Sequence, residues 1–166
     1  AVIVTSDHGE EFFDHGEKGH KNNLYVESVH VPLIVKYRDS EPRGRDSRLV
    51  SLVDLYPTVL ELAGVESPPV HQGRSLLEPA PDPDRSIFFE LLSTFYHRRT
   101  DAPGYERHED QWMAVRRGDE KLVVRPEAER FEVYDVRRDP GEQLDVAIER
   151  PDSVERLKGL QKVLSK

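Results

Sequence analysis

The chain has 166 residues, 36% hydrophobic and 34% charged, with a mean hydropathy of −0.68 and a formal net charge of −8. That length suits one ordinary domain, or part of a large one with a small appended unit, and the low apolar fraction is natural if residues outside this sequence complete the core. Lysines and arginines are scattered, no apolar stretch approaches the roughly 20 residues that cross a bilayer, and cysteine is absent. The reading is therefore of no nucleic-acid partner, no membrane span, no disulfide and no thiolate chemistry within these residues.

Ala1-Val2-Ile3-Val4 is an apolar run that breaks into Thr5-Ser6-Asp7-His8-Gly9-Glu10. Such a run suits a strand buried on both faces in the middle of a parallel sheet, and those sheets bind ligands at the carboxyl ends of their strands. Gly9 is read as a sharp turn that lets the Asp7 and His8 side chains converge on one ion. With neither an initiating methionine nor a signal-peptide pattern at its start, the sequence is read as the back half of a larger protein whose compartment it does not reveal.

A polar loop from Glu10 to Asn23 follows, carrying His15, Lys18, His20 and Lys21. Loops of that length are commonly functional. After Leu24 to His30, the run Val31 to Tyr37 is the next buried strand, with Pro32 tolerated near its start. Arg38 to Arg48 is a charged surface loop. From Ser51, the residues Leu52, Leu55, Tyr56, Val59, Leu60 and Ala63 recur at helical spacing, with Asp54 as N-cap, Pro57 in the first turn and Gly64 as the stop. Pro68-Pro69 and Pro79 to Asp84 are turn and linker material, separated by a short turn at His71 to Leu77.

Downstream, β-like runs occupy Ser86 to Leu92, Gln111 to Arg116, Lys121 to Arg125 and Phe131 to Val136, and Gly118-Asp119 predicts a hairpin between the second and third. Ser93 to Asp110 is read as a surface excursion. Pro151 to Lys166 aligns Val154, Leu157, Leu160 and Leu164 on one helical face. The expected fold is α/β. Residues 1–80 are read as the C-terminal part of a catalytic domain, with a mixed or mostly parallel sheet flanked by helices. Residues 81–166 are read as a small antiparallel sheet covered by one helix.

An isolated Asp-His pair is ordinarily a turn-capping carboxylate beside a surface or core histidine. Its place at the end of an apolar strand is what raises Asp7 and His8 to candidate metal ligands. Transfer of a sulfuryl or phosphoryl group needs cations on the non-bridging oxygens and an acid for the leaving oxygen, and a histidine beside a lysine offers both. His15, His20 and Lys21 are therefore candidate substrate-binding residues, with His20 and Lys21 the candidates for catalysis.

Thr5-Ser6-Asp7-His8-Gly9-Glu10-Glu11, Asp14-His15-Gly16, His20-Lys21, Leu24-Tyr25, Glu27-Ser28 and Val31-Pro32-Leu33-Ile34-Val35 together resemble the C-terminal half of a sulfatase of the alkaline phosphatase superfamily. Leu52-Val53-Asp54-Leu55-Tyr56-Pro57-Thr58, Leu62-Ala63-Gly64, Gln72-Gly73-Arg74-Ser75-Leu76, Tyr134-Asp135 and Asp139-Pro140-Gly141-Glu142 extend the match along the chain. The resemblance implies a hydrolase of sulfate esters in which Asp7 and His8 hold a divalent cation together with paired aspartates from the missing N-terminal half. It also implies a lysine or histidine on the sulfate oxygens: counting back from Pro32 favours Lys21, and counting forward from Asp7 favours His20. The implied substrate is a sulfate-ester small molecule or a sulfated glycan.

The sequence departs from that family at the nucleophile, a formylglycine made within a C/S-x-P-x-R signature that these residues lack. Ser40-Glu41-Pro42-Arg43-Gly44 imitates its opening but has Gly44 where the arginine belongs, and this chain alone is expected to be inactive. Leu144-Asp145-Val146-Ala147 replaces the usual Asn-Leu-Ala, a change expected to affect a structural turn. Calcium (Ca2+) is the cation the resemblance implies, whereas the His8 nitrogen suits manganese (Mn2+) or zinc (Zn2+) better. Phosphodiester or phosphonate hydrolysis, and a non-catalytic binding domain with a vestigial Asp-His pair, are the alternative readings.

Overall fold

The computed structural model describes residues 1–37, 44–78, 82–98 and 105–164. Ser40 to Arg43 of the imitation signature and the boundary expected between 80 and 81 lie outside the described residues. Strand β1 (Val2–Thr5) pairs antiparallel with β4 (Leu33–Lys36), in register from Val2 opposite Lys36 to Thr5 opposite Leu33. Between them, β2 (Glu11–Phe12) and β3 (Lys18–Gly19) form a minimal hairpin, followed by the single turn α1 (Val26–Val29). After β4 come α2 (Leu55–Ala63), the antiparallel meander β5 (Ser86–Arg98), β6 (Tyr105–Arg117), β7 (Glu120–Arg125) and β8 (Arg130–Asp135), and finally α3 (Pro151–Leu164).

The α/β class and the small antiparallel sheet with its covering helix are as expected, but β1 is not buried on both faces. Val2 and Val4 are 58% and 51% exposed, Ile34 on β4 is 62% exposed, and β1 meets an antiparallel neighbour. Continuous apolar runs identify a strand that has two faces to cover, and among the described residues nothing covers the outward pair.

Helix α2 departs from expectation in the same way. Its apolar stripe points outward, with Tyr56 and Val59 about half exposed, while Asp54 and Thr58 are fully buried. Asp54 is not a simple N-cap. A 3-10 turn over Leu52–Asp54 precedes the helix, Ser51 caps it, and the Ser51 N–H donates to Asp54 at 2.8 Å. The same carboxylate accepts the Arg74 backbone N–H at 2.9 Å and the Arg85 guanidinium at 2.5 Å, so it ties three segments together. Gly64 ends the helix in the left-handed region at φ 68°, as its position predicts.

The Gly118-Asp119 hairpin forms as expected, with Arg117 opposite Glu120. Of the segment expected to be an excursion, residues 93–98 and 105–110 instead continue β5 and β6 as a paired ribbon, Ser93 opposite Asp110 and Arg98 opposite Tyr105. Cross-strand pairing is invisible to a reading based on local hydrophobic alternation, because these ribbon residues are mostly polar.

The small sheet carries apolar side chains on both faces. On one, Val115, Leu122 and Val133 pack against Val146, Ala147, Val154 and Leu157, the last two from α3. On the other, Trp112, Ala114, Val123 and Tyr134 pack against Leu24 and Tyr25 from the end of the long loop. The loop is thus part of the core of the C-terminal sheet. Asp145 accepts the backbone N–H groups of Val133 and Ala147, both at 2.9 Å, the turn-forming role expected for that segment. Leu157 is completely buried. Its replacement in Leu157→Ala is expected to destabilise the protein by about 2–5 kcal/mol through lost contacts and a residual cavity, measurable as a lowered denaturant midpoint with an unchanged slope.

Candidate active site

The site begins where β1 ends. Gly9 donates its N–H to Ser28 O at 2.9 Å, and a Cβ at Gly9 would stand 1.9 Å from Glu27 O. Gly9 has no left-handed φ, so the glycine is required by close approach to the α1 backbone and not by the sharp turn read from the sequence. Asp7 and His8 are thereby held at the strand end beside α1.

The His8 ring is oriented. Its Nδ1 lies 2.7 Å from Gly9 O, and because a carbonyl only accepts, Nδ1 is the donor, which leaves Nε2 as the lone-pair nitrogen of the neutral ring. That is the arrangement of a metal-ligating imidazole whose other nitrogen donates to the backbone. Asp7 Oδ1 stands 3.8 Å from His8 Nε2, and the Asp7 side chain is 88% exposed. Donor atoms that far apart can both reach one ion at ordinary ligand distances of about 2.0–2.6 Å, so the pair fits a shared divalent cation.

His20 joins them from the far side of the hairpin. The Glu11–Gly19 pairing of β2 and β3 brings Glu10 and His20 together, and His20 Nδ1 lies 2.8 Å from Glu10 Oε2. The His20 ring stacks on His8 with centroids 3.8 Å apart and planes 17° apart. His8, Glu10 and His20 can each offer a ligand atom within 4.8 Å of the others. Imidazole lone pairs lie in the ring plane, however, and two nearly parallel planes do not meet at a nearby ion. Lys21, next in sequence, is exposed.

His15, read from the sequence as a substrate contact, has both ring nitrogens engaged within the protein. Its Nε2 donates to Glu142 O at 2.8 Å, its Nδ1 is 2.8 Å from Glu27 Oε1, and its ring lies flat on Tyr25 with centroids 3.8 Å apart. Only 12% of the His15 side chain is exposed. Burial pulls the imidazole pKa down, but the Glu142 carbonyl and the Glu27 carboxylate favour the charged ring more strongly, so the net shift is upward.

Two carboxylates that the sequence reading quoted in the resemblance but gave no role organise the loop. Glu11, fully buried, accepts the backbone N–H groups of His15 and Glu17, each at 2.9 Å, and bonds Asn23 Nδ2. Glu142, with 2% of its side chain exposed, receives Lys121 Nζ on both oxygens at 2.9 and 2.8 Å and the Val26 N–H at 3.0 Å. Burial drives the Lys121 pKa down and Glu142 opposes it. Neither role has a local signal, since each acid is an ordinary surface-type residue whose partners lie elsewhere in the chain.

With this geometry in place, comparison with known proteins is decisive. Residues 13–166 match the family model for N-sulphoglucosamine sulphohydrolase, C-terminal. The chain belongs to this sulfatase family. It is 36% identical over 166 residues to arylsulfatase K of Gallus gallus and 34% over 158 residues to that of Mus musculus, alignments that cover 94% and 91% of this chain but 29% and 27% of those proteins. It is 30% identical over 147 residues to an N-acetylglucosamine-6-O-sulfatase of Bacteroides thetaiotaomicron, covering 87% of this chain and 26% of that protein. Among solved structures, a 2-O GAG sulfatase superimposes with a TM-score of 0.75 at 22% identity, over 99% of this chain and 35% of its own. Another, solved with its substrate D-glucosamine-2-N,6-O-disulfate, gives a TM-score of 0.65 at 25% identity, over 96% and 33%. The sulfatase chain described here thus spans less than a third of the curated relatives it matches.

The close approach at Gly9 makes a sharp prediction for this sulfatase. In Gly9→Ala the methyl group meets main chain, which cannot rotate away, so β1 and α1 must separate and the His8 ring must shift. The expected result is destabilisation by about 1–3 kcal/mol, the usual cost of forcing extra atoms into a packed site, with the fold retained by circular dichroism; a lowered denaturant midpoint checks it.

Proposed function

We propose that this chain is the C-terminal part of a metal-dependent sulfuric ester hydrolase, in which Asp7 and His8 supply two metal ligands and His20 or Lys21 holds the sulfate oxygens. The observation that carries this reading is the orientation of the His8 ring: its Nδ1 is tied to Gly9 O, which turns Nε2 toward an exposed carboxylate 3.8 Å away. Glu10 holds His20 against them, and the non-converging ring planes suit His20 to the substrate's oxygens better than to the ion.

In the whole enzyme a bound divalent cation would polarise the ester and acidify the nucleophile. Calcium is the cation the family resemblance implies, and the nitrogen donor of His8 favours manganese or zinc. This chain's own residues orient the site. Gly9 permits the approach, Glu10 fixes the His20 ring, and a cationic His20 or Lys21 offsets negative charge on the sulfuryl oxygens. On this reading the nucleophile belongs to the N-terminal part of the protein, and this chain alone is inactive.

For the substrate we infer a sulfate-ester small molecule or a sulfated glycan. The complex of one solved relative with a disulfated glucosamine supports it. Full-length protein carrying Asp7→Ala or His8→Ala should lose at least about 100-fold in kcat/KM on a nitrophenyl sulfate, since even disturbed outer-shell partners reach that scale. The matched nitrophenyl phosphate and phosphonate esters should turn over more slowly in the wild type. Unchanged sulfate-ester turnover in both variants would remove the proposed metal site, and faster turnover of the phosphorus esters would reassign the substrate class.

A further inference from the structure

The loop carrying Glu10, His20 and Lys21 meets the segment beyond β8 at its middle. His15 sits at its middle, bonded through Nδ1 to Glu27 of α1 and through Nε2 to the main chain of Glu142 beyond β8. The Glu142 carboxylate in turn takes Lys121 of β7, which also donates to Leu24 O at 2.7 Å. Tyr25, under the His15 ring, donates its hydroxyl to Glu132 of β8 at 2.8 Å. The buried side chains of Lys121, Glu142, Glu27 and His15 sum to zero charge only when His15 is an imidazolium. Among the described residues Glu27 Oε2 is buried without a hydrogen-bond partner, so that carboxylate relies on the His15 proton at Oε1.

We infer that His15 is a positioning residue, which by joining Glu27 to the Glu142 main chain docks the 10–23 loop on the C-terminal sheet and so presents His20 and Lys21 to the substrate. The catalytic consequence rests on the sulfatase reading; the docking does not. Among the described groups, those facing His15 are Glu27 of α1, Glu142 and Gln143 beyond β8, Lys121 of β7 through Glu142, Tyr25 beneath the ring, and Glu11 of β2 at its backbone N–H. Because Nε2 is committed to a carbonyl, the proton lost on titration is the one at Nδ1. Its loss leaves a lone pair facing the Glu27 carboxylate and a net negative charge in a buried site. With the His15 pKa raised on folding, the docking energy is fully present below the ordinary imidazole value and is lost as pH rises through the raised value.

The test uses the full-length enzyme and two parallel pH series: kcat/KM on a nitrophenyl sulfate, and deuterium uptake of a peptide covering residues 10–23, corrected for the intrinsic chemical exchange rate. In the wild type, uptake should rise and kcat/KM fall together on the alkaline side, while uptake in a peptide covering 151–164 stays constant. His15→Gln should expose the loop at all pH values, lower kcat/KM by about 10- to 100-fold at neutral pH through misplacement of the reacting groups, and erase the shared alkaline limb. Glu27→Gln, which keeps the shape and removes the charge, should move that limb to lower pH. Corrected loop uptake that is flat with pH in the wild type, or that is unaltered by His15→Gln, overturns the proposal. So does an equal rise in the 151–164 peptide, which reports global unfolding. A loop limb that follows His15 in a protein with no sulfate-ester turnover supports the docking and overturns the hydrolase reading instead.

Discussion

Lys121 and Glu142 lie against one another with 2% of each side chain exposed, joined through both carboxylate oxygens, and the segments around the site are tied to this pair. Lys121 reaches Leu24 O, Glu142 takes the N–H of Val26, and the Glu142 main chain takes the ring of His15. Burying two charges is unfavourable unless each is paired and hydrogen-bonded, and removing one partner from such a pair typically destabilises by about 3–5 kcal/mol because the other charge is stranded. The energetic penalty for breaking the pair acts together with the packing of Leu24 and Tyr25 on the sheet to hold the meander β5–β8 and the loop before α1 to one relative position. The C-terminal sheet is therefore a foundation for the site and not a bystander to it.

The loop itself is shaped by polar contacts more than by apolar burial. Glu11 replaces a turn of regular structure by accepting two backbone N–H groups and the Asn23 amide, and Asn23 passes the support on to the Tyr25 N–H at 3.1 Å and the Ser28 hydroxyl at 2.9 Å. The two-residue strands β2 and β3 are too short to be stable alone. Fastened at both ends by these bonds, they suffice to place Glu10 beside His20 and His20 on His8.

The exposed apolar faces give the same account of the whole protein from another direction. Val2, Val4 and Ile34 on the first sheet, and Tyr56 and Val59 on α2, are side chains that a self-contained domain would bury, whereas Asp54 and Thr58 are buried on the inner side of α2 by hydrogen bonds to Arg74, Arg85 and Leu76. A helix with its polar residues inside and its apolar residues outside has two faces to cover, and its inner face is already satisfied by hydrogen bonding. The pattern is that of a segment at the seam of a larger fold, in keeping with relatives more than three times as long.

The amino-acid sequence by itself determined the α/β class, the sulfatase resemblance, the hairpin at Gly118-Asp119, the end of α2 at Gly64 and the covering helix α3. Each of these is written in local spacing: apolar periodicity, a turn dipeptide or a glycine stop, with the resemblance carried by short runs in order. It also singled out Asp7, His8, His15, His20 and Lys21, because residue type at a strand end and in a long loop is itself a local property. Only the tertiary structure decided what those residues do next. It set His20 against His8 and withdrew His15 into a buried clamp, and it brought Glu10, Glu11 and Glu142 into the site's support. It also turned the apolar stripe of α2 outward. The partners of a loop side chain can lie 127 residues away, as Glu142 does from His15, and no periodicity along the chain encodes a contact made across it.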